Sequence, residues 1–375
     1  MDPSLGTLVG PLRTIIAFVV VLGVLVFIHE AGHYWAARWR GVHVERFAIG
    51  FGRALARWTD RRGTEWQIGW LPLGGYVKLH GHEQPADVSP EDRARWQAGR
   101  TFHDKPVGDR AIVVAAGPIA NFVLAAVLFA LLFATVGQPV MTATVGQVVA
   151  GSAAEQAGLQ QGDTILSVDG TPITRFTELQ DRVGPSAGKP LALHVQRGLQ
   201  LLDLTATPSA RPGSEGQQPT GVLGIAAGAP TFEQVGPLRA VWMGVTRTVE
   251  VSRETLVGVW QMITRQRGTD ELGGPLRIMQ ISGQAAALGL PSLITFIAVL
   301  SVNLGLINLF PIPVLDGGHL VFYAVEALRG RPLSARAMEY GLRAGLAVLA
   351  TLFIFSTWND LSHLGVVRWI AGLAG

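Results

Sequence analysis

The sequence predicts a polytopic α-helical membrane protein of about four transmembrane helices, with one mixed α/β domain inserted between the second and third and a membrane-associated β-hairpin or sheet after the first. Three observations carry that expectation. Hydrophobic residues make up 49% of the 375 positions and charged residues 15%, and mean hydropathy is +0.33, a balance that points to an integral membrane protein. Four apolar stretches, near 14–36, 111–136, 291–312 and 340–358, approach the roughly 20 residues needed to cross about 30 Å of hydrocarbon. Between the second and third runs a long polar segment of short strand-like stretches and glycine turns.

Taken in order, these readings divide the chain into residues 1–136, 137–230, 231–290 and 291–375. The first apolar stretch follows Arg13, as the core of a secretory signal would, but no small-residue cleavage site precedes the polar HEAGH at 29–33, so it reads as a retained helix. Arg343 sits near the start of the fourth. Four spans return both termini to one side. The basic residues Arg38, Arg40, Arg53, Arg57, Arg61 and Arg62 follow the first span, and Arg329, Arg331 and Arg336 lie between the third and fourth. Both segments are therefore expected in the cytoplasm, with the termini and residues 137–290 outside. A net charge of +3 gives no reason to expect a nucleic-acid partner. The absence of cysteine excludes disulfides, thiolate ligands and thiol nucleophiles.

The chemistry concentrates in FVVVLGVLVFIHEAGHYWAARW, residues 18–39. Titratable side chains at bilayer depth cost at least a few kcal/mol and usually mark function. On a helix His29 and His33 share a face and can direct two imidazole nitrogens at one zinc ion. Glu30 stands beside them, where its carboxylate can take a proton from an attacking water and pass it to a leaving amide nitrogen. The alternative is a pair of histidines in ordinary interhelix hydrogen bonds. A catalytic zinc normally has a third protein ligand. Asp316 in NLFPIPVLDGGH, 308–319, is the candidate: Pro311 and Pro313 stop the third helix, and Gly317 and Gly318 allow a close backbone turn. His319, past the turn, competes for the same role.

HEAGH, GPIAN at 117–121 and NLFPIPVLDGG on three successive spans resemble the site-2 protease family of intramembrane zinc metalloproteases, particularly its regulator-of-sigma-E protease branch. GFG at 50–52, PLGGYVKL at 72–79 and GGPLRI at 273–278 extend the likeness over most of the chain. The resemblance implies that His29, His33 and Asp316 bind one Zn2+, that Glu30 is the catalytic base, and that Asn308 engages the substrate or the developing oxyanion. It implies a location in the bacterial inner membrane, with the inserted domain and both termini periplasmic. It also gives a role to EWQIGWLPLGGYVKL, 65–79, read as a hairpin turning at Gly74 and Gly75: its free edge would pair with an unwound substrate, as in strand addition. An ordinary cytoplasmic hairpin is the alternative.

The inserted segment resembles a PDZ domain. VGQVVAGSAAEQAGLQQGDTILSVDG carries short strands and a small-residue helix, LALHVQRGLQLLDLTATP supplies closing strands, and GSEGQQPTG at 213–221 reads as a loop. Better-known relatives often carry two such domains, and the spacing here fits one. Its groove offers a contact for a substrate or partner on the outer face. Val235, Leu238, Trp242, Val245, Val249, Leu256, Trp260 and Ile263 recur at helical intervals, predicting one amphipathic helix or two on the outer boundary or against the PDZ domain. Residues 278–289 predict a separate interfacial helix.

Together these features predict a zinc endopeptidase that cuts single-span membrane proteins, such as trimmed anti-sigma factors and remnant signal peptides, within or near the lipid bilayer. A membrane PDZ scaffold or pseudoprotease, and a metal transporter, are the alternatives.

Overall fold

The computed structural model describes residues 3–81, 91, 96–97, 99–211, 220–266 and 273–363. The chain divides into two units, residues 1–132 with 237–375, and residues 133–236.

The first unit is helical. Among the described residues four helices are long and apolar enough to cross a membrane: Gly10–Trp39, Val107–Thr135, Leu290–Leu309 and Ala335–Ser362. They belong to α1 (Pro3–Trp39), α2 (Val107–Thr135), α7 (Leu290–Leu309) and α9 (Ala335–His363). Buried Val21 and Leu25 of α1 meet Ile297 of α7, with Leu124 and Leu128 of α2 packed alongside. Between bilayer helices no hydrophobic effect drives association, so small residues that admit close packing decide where they meet. A side chain at Gly32 of α1 would strike the Ala116 carbonyl and lie 2.8 Å from Ala120 Cβ of α2.

After α1 the chain forms β1 (Val44–Thr59) and β2 (Glu65–Leu79), which pair antiparallel. Residues 65–79 are not a self-contained hairpin. The first half of β1 lies between their two arms: Phe47 faces both Val77 and Trp66, and Ile49 faces both Gly75 and Ile68. The second half of β1 turns back, so that Trp58 opposes Trp66. Phe47 is buried with Ala37, Tyr34 and Val113, which ties the sheet to the C-terminal half of α1 and the start of α2.

The second unit carries the mixed α/β pattern expected of the insert. Its strands and short helices are β3 (Gln138–Val140), β4 (Val145–Val148), α3 (Ala153–Gln156), β5 (Thr164–Val168), β6 (Thr171–Pro172), α4 (Phe176–Val183), β7 (Leu191–Arg197), β8 (Gln200–Ala206), β9 (Ser209–Arg211), β10 (Thr220–Val222), β11 (Ile225–Ala227) and β12 (Thr231–Glu233). The order β6-β5-β7-β8 forms one sheet. Alternation in β7 sends Leu191, Leu193 and Val195 into a core shared with Ile165, Val168 and Leu179. An apolar cleft of about 670 Å3 runs between α4 and residues 220–226, lined by Phe176, Leu179 and Val183. Most of the loop expected at 213–221 lies outside the described residues; Thr220 and Gly221 begin β10.

The connector is one long helix, α5 (Pro237–Ile263), followed by α6 (Pro275–Ala287). Its packing adds what periodicity alone does not give. The predicted apolar stripe faces outward, with Trp242 at 69% and Trp260 at 64% exposure. The buried face is the small-residue one, Ala240, Gly244, Thr248 and Val251. A side chain at Gly244 would collide with the Ala126 carbonyl of α2, and Thr255 Oγ1 donates to Asn303 Oδ1 of α7 at 2.9 Å. This helix is therefore part of the helical unit, its large apolar side chains left exposed.

Candidate metal centre

Three elements bring the polar groups together. His29 and His33 sit one turn apart on α1, and Asp316 opens α8 (Asp316–Arg329). Helix α7 stops at Leu309, as the two prolines require. Residues 310–315 make a tight loop in which Val314 has φ 109°, a strained value for a β-branched residue and of a kind that clusters at functional sites. Side chains at Gly317 and Gly318 would collide with the Leu309 and Ile312 carbonyls, so glycine at both positions is what lets α8 start against the end of α7. Gly345 of α9 lies flush against the Pro313 carbonyl from the other side. At the far end of α8, Arg110 Nη2 of α2 donates to Glu326 at 2.6 Å, and its guanidinium lies 5.0 Å over the Tyr323 ring.

His29 Nε2 lies 3.2 Å from Asp316 Oδ2, His33 Nε2 lies 3.4 Å from the same oxygen, and the two nitrogens are 3.2 Å apart. Tetrahedral ligands bound at about 2.0–2.1 Å sit roughly 3.3 Å from one another. The three atoms thus have the separations of one face of a zinc coordination tetrahedron. Asp316 Oδ2 is buried without a hydrogen-bond partner, which is what an oxygen reserved for a cation requires. The donor set and its spacing fit zinc. His319 is not part of this cluster; its ring packs edge-on against Phe322 at 6.1 Å.

The histidines are held from α2. His33 Nδ1 lies 2.9 Å from the Val113 carbonyl; donating there, the ring keeps Nε2 free as an acceptor. His29 Nδ1 lies 3.1 Å from the Asn121 carboxamide nitrogen, and the Asn121 carbonyl oxygen is buried without a partner. A half-turn of that amide lets Oδ1 accept the His29 Nδ1 proton, again leaving Nε2 free. Ser301 Oγ donates to the Asn121 backbone carbonyl at 2.8 Å, fixing the segment on α7. GPIAN thereby acquires a physical meaning. Gly117 makes room for the His33 ring, whose atoms a side chain there would strike. Asn121 steadies His29. Sequence reasoning assigned no role to Asn121, although an amide inside an apolar span was the signal.

Glu30 lies between α1 and the sheet. A side chain at Gly75 would come 3.2 Å from Glu30 Cγ. Gly75 thus lies beside the expected base, whereas Gly74, at φ 101°, faces the Phe51 ring. Asn308, on the last turn of α7, donates to the Leu304 carbonyl of its own helix at 3.0 Å.

Residues 17–352 match the model of Peptidase family M50. The chain belongs to peptidase family M50. It is 38% identical over 396 residues to the metalloprotease MmpA of Caulobacter vibrioides, covering 98% of this chain and 100% of that one. A Rhizobium meliloti protein provisionally named a zinc metalloprotease is 42% identical, covering 94% of this chain and 97% of its own. The regulator of sigma-E protease RseP of Salmonella typhimurium is 33% identical over 449 residues, covering 93% and 98%. The PDZ domain of an SdrC-like protein from Listeria innocua aligns with 24% of this chain and 99% of its own at 18% identity, with a TM-score of 0.21. Family membership and the four apolar helices make this chain a membrane zinc metalloprotease.

Proposed function

We propose that this protein is an intramembrane zinc metalloendopeptidase of the bacterial inner membrane that cuts single-span membrane proteins, its substrates including trimmed anti-sigma factors and remnant signal peptides. The observation that carries the reading is the convergence of three ligand atoms at 3.2–3.4 Å on apolar helices, with Glu30 on the same α1 turn. His29, His33 and Asp316 hold the zinc, and Asn121 and the Val113 carbonyl orient the two imidazoles. Bound zinc supplies Lewis acidity at the scissile carbonyl and acidifies water. Glu30, beside Gly75 of β2, accepts the proton of the attacking water and delivers it to the leaving nitrogen.

A helical substrate hides its carbonyls in its own hydrogen bonds and must be opened first. Among the described residues the Gly75–Leu79 arm of β2 finds ladder partners only in β1, and it passes Glu30. Its other edge receives the extended substrate backbone, and Gly75 keeps the approach free of side-chain bulk. Asn308 gives up its bond to Leu304 to engage the substrate or the developing oxyanion. The PDZ-like unit and both termini lie on the periplasmic side, following the basic residues that mark the opposite side. Its groove meets substrate or partner there. The test is cleavage of a model transmembrane peptide by purified protein. Chelation should abolish it and stoichiometric zinc restore it. Zinc binding without cleavage would favour the transporter, and neither binding nor cleavage the scaffold.

A further inference from the structure

Where α1 ends, an open cleft of about 720 Å3 is lined by Tyr34, Trp35, Arg38, Trp39, Asp60 and Arg62. The proteolytic mechanism does not use it. Its charges are distributed unusually. Arg40, Arg46 and Arg57 each pair with a carboxylate, Arg40 with Asp109 at 3.1 Å and the other two with Glu65 at 3.0 and 2.7 Å. Arg38 and Arg62 form no such pair among the described residues. Arg38 Nε is buried without an acceptor, and its Nη1 makes one long contact, 3.5 Å from the Tyr34 hydroxyl. The carboxylate of the cleft is already engaged. Asp60 Oδ1 accepts the backbone N–H groups of Arg62 and Thr64 at 2.8 and 3.0 Å, and Oδ2 accepts the Trp66 indole at 3.1 Å and the Tyr34 hydroxyl at 3.4 Å. Two guanidinium groups against one carboxylate leave a net positive charge. The C-terminal dipole of α1 opposes an anion with only about half a unit charge.

The location selects among anions. The apolar span in α1 runs from Gly10 to Trp39, so the cleft sits where hydrocarbon gives way to headgroups. Trp35 and Trp39, at 62% and 72% exposure, have the amphipathic character that favours this boundary. Arg40 stacks over the Trp39 ring at 4.5 Å and steadies it. A free anion needs the arginines alone, whereas a lipid also uses apolar walls beside its acyl chains. We propose that this cleft binds the headgroup of an anionic phospholipid, its phosphodiester between Arg38 and Arg62 and its chains descending along α1 past Trp35.

The test is native mass spectrometry of the full-length protein, titrated with phosphatidylglycerol, with phosphatidylcholine of the same chain length, or with phosphatidylglycerol plus excess inorganic phosphate. At the strength typical of a basic residue near an anionic surface, Arg38→Gln and Arg62→Gln should each weaken phosphatidylglycerol binding about fivefold and the double variant about 25-fold. Phosphatidylcholine binding should not change, and Arg53→Gln, an exposed arginine outside the cleft, should leave both lipids unaffected. Arg62 lies in an exposed turn, so Arg62→Gln decides the matter if Arg38→Gln fails to fold. Unchanged phosphatidylglycerol binding in the variants, an equal loss in Arg53→Gln, or displacement of the lipid by phosphate would each overturn the proposal.

Discussion

Gly117→Ala should disable the metal centre without replacing any of the proposed ligands. A methyl group built at this position lies against His33 Nε2, 2.5 Å from Cε1 and 2.9 Å from Cδ2. Non-bonded carbons rest at about 3.5–4.0 Å, so the ring must retreat by roughly 1 Å. It cannot do so and keep its bond to the Val113 carbonyl, 2.9 Å away. Helix α2 could move off instead, but it already packs backbone to backbone against Gly32, and that separation would open the α1–α2 interface. Overpacking of this kind costs about 1–3 kcal/mol of stability. The ligand is more sensitive still. Zinc sites tolerate about 0.2 Å in ligand distance, and disturbing only the groups that orient a ligand weakens affinity some 10–100-fold. Zinc affinity, measured by competition with a chromophoric chelator, should therefore fall at least about 100-fold. Gly23→Ala and Gly108→Ala are the controls, because a methyl at either meets nothing within 4 Å. A Gly117→Ala protein that binds zinc like the unaltered chain would refute the packing argument.

Three further outcomes are expected. Asn121→Leu fills a similar volume but offers no acceptor to His29, and zinc affinity by the same titration should drop about 10–100-fold. In the second unit the Asp163 side chain is 1% exposed and paired at 2.8 Å with Arg197, itself 31% exposed, so Asp163→Ala should cost about 1–3 kcal/mol in thermal unfolding of that unit. Arg197 and the Gln160 backbone hold the Asp163 carboxyl below its ordinary value. Its stabilisation is therefore complete above about pH 4, is lost as pH falls through the lower folded value, and should vanish from the acid limb in Asp163→Asn. For orientation, Leu199→Cys, at a fully exposed site, should react with an impermeant thiol reagent applied from outside, and Thr59→Cys should not. The native chain has no cysteine to compete, and labelling in the opposite order would reverse the assignment.

What the sequence disclosed, and what it did not, follows from the range of the interactions. His29, Glu30 and His33 stood out in the sequence because a titratable group inside an apolar helix is costly, and the structure brings the two histidines together with Asp316. Asp316 was legible because prolines and paired glycines mark a broken helix end. The groups that orient the ligands were not: Val113 acts through its backbone carbonyl and Asn121 through a contact 92 positions away in sequence. The sheet misled because pairing is non-local. Residues 65–79 carry a bend, yet their two arms join through β1 and not through each other. The α5 stripe was found at the correct spacing, but which groups pack the helix was not. Periodicity identifies an apolar face without saying whether protein or lipid covers it, and the buried side turned out to be the small residues around Gly244.

The central claim is that one constellation both holds zinc and moves a proton. It is tested most directly by measuring zinc content and transmembrane-peptide cleavage on the same purified samples of the unaltered chain, Glu30→Gln and Asp316→Ala. The unaltered chain should carry one zinc and cleave, Glu30→Gln should carry one zinc and be inert, and Asp316→Ala should lose both. Cleavage by Glu30→Gln, or full zinc occupancy in Asp316→Ala, would contradict the account.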